Sequence, residues 1–224
     1  MPVRGALTHH RPSLRDRAWC ALAFLVTVFA ALWSTTALAA PLSVRLVDAS
    51  NHPVRDAVVV ADLPGAHAMP VGHGYSVRQK DLAFQPFVLV IPAGATVSFP
   101  NGDNTRHQVY SFSPTKRFEL KLFARDQTRS IVFERPGVVA LGCNIHDRMS
   151  AFVFVAENAW TVRSDEHGVA TIPDAPNSGG TLRVWHPYLH APNNMIVVPI
   201  VAGQRSVSVK LQLRTPPVRP SSGY

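Results

Sequence analysis

From residue 40 onwards the chain repeats one pattern, apolar and polar residues in strict alternation. Leu42, Val44 and Leu46 alternate with Ser43 and Arg45, and Val207, Val209, Leu211 and Leu213 alternate with Ser208, Lys210 and Gln212. A period of two places every second side chain on one face, the mark of a half-buried strand. Further β-rich runs occupy 57–61, 87–91, 96–99, 108–112, 130–133, 138–141, 151–155, 161–163, 169–172, 181–185 and 195–201. Turn-forming clusters separate them, among them Pro92-Ala93-Gly94, Asn101-Gly102-Asp103, Pro136-Gly137 and Asn177-Ser178-Gly179-Gly180. No segment of this part sustains a 3.6-residue apolar period. The expected class is all-β, built as antiparallel sandwiches. With 46% hydrophobic residues the chain can bury a core, and 2 cysteines among 224 residues cannot form a disulfide scaffold.

The first 39 residues read differently. Arg4, Arg11, Arg15 and Arg17 precede an uncharged apolar run, Ala18 to Trp33, and Ala37-Leu38-Ala39 follows as a small-residue cleavage pattern. This predicts a secretory signal peptide over 1–39, with an uncleaved anchor as the alternative. Cleavage would remove Cys20, four arginines and one aspartate, taking the net charge from +8 to +5 and leaving Cys143 as the single thiol. That charge is too mild and scattered to argue for nucleic acid. No later run is apolar and long enough to span a bilayer, so the expected product is exported and not inserted in a membrane.

Chemistry concentrates in Gly142-Cys143-Asn144-Ile145-His146-Asp147-Arg148-Met149, a Cys-x2-His-x2-Met motif on a loop between two strand patterns. A second imidazole, His107, opens another strand pattern 36 residues upstream. A thiolate and two imidazoles with a weak axial thioether form the donor set of a blue-copper site: the sulfurs suit Cu(I), and the nitrogens keep Cu(II) accessible. Rival readings of Cys143 are a buried structural thiol, an intermolecular disulfide partner, a zinc ligand, or half of a Cys-His nucleophilic pair.

On these residues the chain resembles the cupredoxins. The Gly142–Met149 spacing is similar to the ligand loop of amicyanin. Phe84-Gln85-Pro86-Phe87-Val88-Leu89, Gly94, Val97, Phe99-Pro100-Asn101 and His107 are similar to the plastocyanin run that leads to the first histidine ligand. The resemblance implies a Greek-key sandwich holding one type 1 copper ion through His107, Cys143, His146 and Met149. It further implies a periplasmic electron carrier, not an enzyme, which exchanges electrons with protein redox partners through the edge of His146, with Arg148 and Met149 bordering the docking patch. One departure is Gln108, where plastocyanins and azurins usually have Asn tying the ligand loops together. A copper-binding or delivery protein without a redox partner is the alternative function.

Ser43–Ala61, Trp160–Pro176 and Thr181–Pro187 resemble carboxypeptidase-regulatory-like, transthyretin-like β-sandwich modules, which proteins of the "methylamine utilization protein" type join to a cupredoxin. The expected segments are a signal peptide (1–39), an N-terminal β segment and loop (40–77), a cupredoxin domain (78–156), the β module (157–214) and a disordered tail (215–224). Whether 43–61 pairs with the C-terminal strands is open at this point. Elsewhere, His67, Met69 and His73 lie in a Gly/Pro-rich segment, 63–76, expected to be a mobile loop without function, the alternative being weak copper capture. His186 and His190 are expected at a packed strand end. Lys116, Arg117, Lys121, Arg125 and Arg129 are expected on a solvated hairpin face, the functional alternative being to steer the protein towards an acidic partner.

Overall fold

The computed structural model describes residues 40–215; the predicted signal peptide and nearly all of the predicted tail lie outside them. Sixteen strands form among the described residues. They are β1 (Ala40–Val47), β2 (Val58–Asp62), β3 (Arg78–Lys80), β4 (Ala83–Gln85), β5 (Val88–Pro92), β6 (Ala95–Pro100), β7 (His107–Ser111) and β8 (Phe118–Phe123). There follow β9 (Thr128–Phe133), β10 (Gly137–Gly142), β11 (Ser150–Ala156), β12 (Thr161–Arg163), β13 (Val169–Ala175), β14 (Gly180–Trp185), β15 (Met195–Ile200) and β16 (Ser206–Lys210). The one helical turn among them is 3₁₀, Pro192–Asn194. The class is all-β, as the alternation requires.

Two sandwiches result. In the first, the sheet β13-β1-β16 faces the sheet β12-β2-β14-β15. Leu42, Val44 and Leu46 of β1 point into the core between them, beside Val59, Ala170, Ile172, Leu182, Val184 and Val209. The N-terminal strands therefore pair with the C-terminal ones: β1 lies antiparallel to β13 and parallel to β16, and β2 lies antiparallel to β12 and β14. Strands β3 to β11 are threaded between the halves of this sandwich. They build the second one from the sheet β5-β11-β10-β7-β8, the pair β6-β9 and the hairpin β3-β4. Its core joins Val97 and Phe99 of β6, Val109 of β7, Phe133 of β9, Val139 of β10, and Ala151, Val153 and Val155 of β11.

The sandwiches meet through strands that bury both faces. β2 reads Val-Val-Val-Ala-Asp because Val59 and Ala61 face the first core while Val58 and Val60 face outward, and β11 behaves alike. Continuous apolar runs of this kind mark strands covered on both sides. Val58, Val60 and Trp185 of the first sandwich pack on Val88 and Phe154 of the second, with Phe152 and Val90 against them. The Trp185 ring sits edge-on to Phe152 and tilted to Phe154, each at 5.6 Å.

One expectation needs correction. The basic stretch does not form a single hairpin: Lys116, Arg117 and Lys121 lie on the hairpin of β7 and β8, whereas Arg129 is on β9, which crosses to β6. Alternation alone does not say which neighbour a strand takes. Several of the basic side chains have partners: Lys116 pairs with Glu134 at 2.7 Å, Arg125 bonds Asn104, and Arg129 stacks over Phe123. The short strands β3 and β4 lie where no strand pattern is evident, since three residues are too few to display a period.

Candidate metal centre

His107 is the first residue of β7 and takes an inward register position with Val109 and Ser111, which leaves its side chain fully buried. Cys143 directly follows β10, where Gly142 pairs with Tyr110 of β7. The Tyr110 ring packs over Gly142: a Cβ there would lie 2.6 Å from it, so any larger residue would have to displace the ring. The pairing of Gly142 with Tyr110 brings Cys143, the next residue, towards the start of β7. The loop then turns tightly, with the Met149 N–H donating to the His146 carbonyl at 2.9 Å.

These local choices bring three donors together. The Nδ1 atoms of His107 and His146 are 3.2 Å apart, and the Cys143 Sγ is 3.7 Å from His146 Nδ1. The three ligand atoms lie within 4.8 Å of one another, the one such His/Cys/Asp/Glu group among the described residues. Cys143 and Met149 are 3% and 2% exposed and belong to the core of the second sandwich, while His146 is part-exposed. Met149 therefore does not border a docking surface, contrary to expectation. The exposed neighbours on this loop are Asn144, Ile145, Asp147 and Arg148.

The electrostatics favour a thiolate. Burial pushes the Cys143 thiol up, but hydrogen bonding from His107, the N–H groups of Gln108 and Ile145, and His146 outweighs this and brings it to about 6. Burial likewise opposes a proton on His107, yet Cys143 and Asp103 raise its pKa overall. The Nε2 of His107 faces the Asp103 Oδ2 at 2.8 Å. A carboxylate only accepts, so Nε2 carries a proton; Nδ1 donates to the Cys143 sulfur while the ring is protonated and is freed as a lone-pair donor when that second proton leaves. A thiolate and two imidazoles converging within 4.8 Å could hold a cation in place of the shared protons, and their mixed soft and borderline character suits copper.

Asp103 was read from sequence only as part of a turn; an Asp four residues before a His in a loop carries no periodic signal. Gln108, which stands where the ligand-tying Asn is usual, bonds instead across to Glu119 at 2.7 Å. The Asn101 side chain ties the upstream loop, donating to the Thr105 and Phe123 carbonyls and accepting from the Asp103 N–H.

The other histidines stay apart. His67 rests edge-on against Trp160 and its carbonyl accepts from the Ala159 N–H, so part of the 63–76 segment is docked; His67, Met69 and His73 form no metal-type group among the described residues. His186 packs at the end of β14, 6% exposed, with Nδ1 accepting from the Tyr188 N–H. Burial lowers its pKa to about 4, against smaller opposing contributions from Asp56 and the Arg55 backbone. The unfolded chain therefore takes up this proton near pH 6.5 and the folded chain only near 4. Stability is complete above 6.5 and falls as pH drops through that window, by about 3 kcal/mol. His186→Asn keeps an acceptor without the titration, and urea melts at pH 6.5 and 4.5 are expected to show a flatter slope for it than for the natural chain.

No protein-family model and no curated protein matches this chain. Solved structures are similar over part of it. A copper-containing nitrite reductase from Thermus scotoductus matches at 27% identity and a TM-score of 0.37, over 44% of this chain and only 25% of the reductase. A purple cupredoxin from Nitrosopumilus maritimus matches at 23% identity and 0.35, over 37% of this chain and 100% of its own. A Cu(I) form of an amicyanin mutant matches at 18% identity and 0.35, over 44% and 98%.

Proposed function

We propose that this chain is a periplasmic cupredoxin-type protein that binds one type 1 copper ion and carries single electrons between protein partners. The observation that carries the reading is the convergence of His107 Nδ1, Cys143 Sγ and His146 Nδ1 in a largely buried pocket at one end of a β-sandwich. Copper bound there would supply a one-electron couple. The protein's part is to hold the donors still. His107 is fixed by β7 and by Asp103, and Cys143 is fixed at the end of β10 with its sulfur supported by two backbone N–H groups. Met149, fully buried in the same core as Cys143, would supply a thioether as a fourth, weaker donor. Donors anchored on strand ends keep their places when the charge of the centre changes, which lowers the cost of moving an electron. The part-exposed His146, with Ile145 and Arg148 exposed on the same loop, gives the proposed exchange route to a partner.

Export rests on the Arg-rich, apolar, Ala-x-Ala pattern of residues 1–39. The sandwich of β1, β2 and β12–β16 is assigned to the carboxypeptidase-regulatory-like class on its sequence motifs, as a non-catalytic scaffold and a second surface for partners.

Voltammetry separates the shuttle from a delivery protein. Residues 40–224 loaded with copper are expected to give a reversible one-electron wave and to retain the metal through many cycles. Rapid transfer of Cu(I) to a competing thiol chelator, without a stable wave, would favour delivery.

A further inference from the structure

We infer that Asp103 is the positioning residue of the metal centre, which fixes the tautomer of His107 and, through its charge, favours the oxidised state of the bound ion. The inference rests on the copper reading above and adds to it a residue outside the ligand set.

Asp103 is 8% exposed, and all its contacts are directed. Its Oδ1 accepts from the Asp81 N–H at 2.7 Å, and its Oδ2 accepts from the Leu82 N–H at 3.1 Å and from His107 Nε2 at 2.8 Å. The Lys80 ammonium stands 3.9 Å from Oδ1. Asp81 and Leu82 are the turn between β3 and β4, and both have a φ of 54°, a left-handed conformation unfavourable for a leucine. Such a turn persists when something outside it binds its N–H groups, and Asp103 does so. One carboxylate thus clamps the β3-β4 turn to the back of the His107 ring. Three N–H donors on two oxygens are the surroundings of an ionised carboxylate.

Two consequences follow for the ring. With one proton held on Nε2, it is the Nδ1 proton that a metal ion displaces, which leaves Nδ1 as the lone-pair donor facing Cys143 and His146. A carboxylate behind a ligating imidazole also makes the ring a stronger donor, and its negative charge favours the more positive state of the ion. The neutral amide of Asn cannot reproduce this arrangement: three N–H donors face the two side-chain oxygens, and an NH2 in either place opposes at least one of them.

The test has two arms. In the metal-free protein, at a pH where His107 is neutral, ¹⁵N NMR is expected to show the Nε2–H tautomer as the dominant form; in Asp103→Asn that preference is reduced or reversed. In the copper-loaded protein, Asp103→Asn is expected to lower the Cu(II)-to-Cu(I) affinity ratio at least tenfold, a rise of about 59 mV for a one-electron couple. Asp103→Glu, which restores the charge, is expected to recover part of the shift. Far-UV circular dichroism establishes that each variant is folded, and a variant that unfolds leaves the natural chain's tautomer as the deciding readout. If copper does not bind at all, the copper reading fails, while the metal-free tautomer still decides the role of Asp103. If the site is blue but tautomer and potential are the same in Asp103→Asn, the inference is overturned.

Discussion

Replacing Cys143 with alanine is expected to abolish the intense visible absorption of the copper-loaded protein and to weaken Cu(II) binding by more than about 100-fold, beyond what changes outside the ligand set cost. The sulfur is the one soft anionic donor in a cluster that otherwise offers two imidazoles. Without it, His107 and His146 resemble any pair of nearby histidines, which hold copper weakly and without the thiolate-to-metal colour. The fold should survive. Cys143 lies at the end of β10, where alanine fits the backbone and a small buried volume is lost, so the expected cost is about 1 kcal/mol. Visible absorbance and a competitive copper titration, with circular dichroism as the folding control, check this. A variant that stays blue would show that Cys143 does not bind the metal.

The second large effect concerns the contact between the sandwiches. Trp185→Ala is expected to destabilise the protein by about 3–5 kcal/mol and to lower Tm by about 10 °C. The indole is 2% exposed and fills the space between Phe152 and Phe154 of β11 on one side and Val58 and Val60 of β2 on the other. Truncation leaves a cavity that strands pinned from both faces cannot close. The copper spectrum should be unchanged, because Trp185 is not part of the core that contains Cys143 and Met149. Val197→Ala serves as the comparison: that side chain is 61% exposed, and its loss should stay within about 0.5 kcal/mol. Equal melting temperatures for the two variants in a calorimetric scan would refute a packed interface.

The all-β class was legible because strands with one solvated face write a period of two into the chain, as β1 and β16 do with Leu42 to Leu46 and Val207 to Val209. The three-donor cluster was legible for a different reason. Cys143 and His146 share one short loop, so spacing alone nearly determines their proximity, whereas His107, 36 residues upstream, joins them only through the resemblance to the cupredoxin ligand pattern. Pairing was less accessible. The partners of β8 and β9 depend on a crossover, and the union of β1 with β13 and β16 depends on contacts between opposite ends of the chain. The uninterrupted apolar runs of β2 and β11 reflect burial on both faces, but nothing in them says what covers them. Asp103 was hidden most completely. Its importance comes from three donors, Asp81, Leu82 and His107, that converge only once the β3-β4 turn folds over the loop.

Titration of residues 40–224 with Cu(II), followed by visible absorption, tests the central claim most directly. Expected is an intense blue or purple band that grows linearly and saturates at one ion per chain, disappears on reduction and returns on reoxidation. A colourless complex, a faint band typical of nitrogen and oxygen donors, or saturation at several ions per chain would contradict a thiolate copper centre at Cys143, His107 and His146.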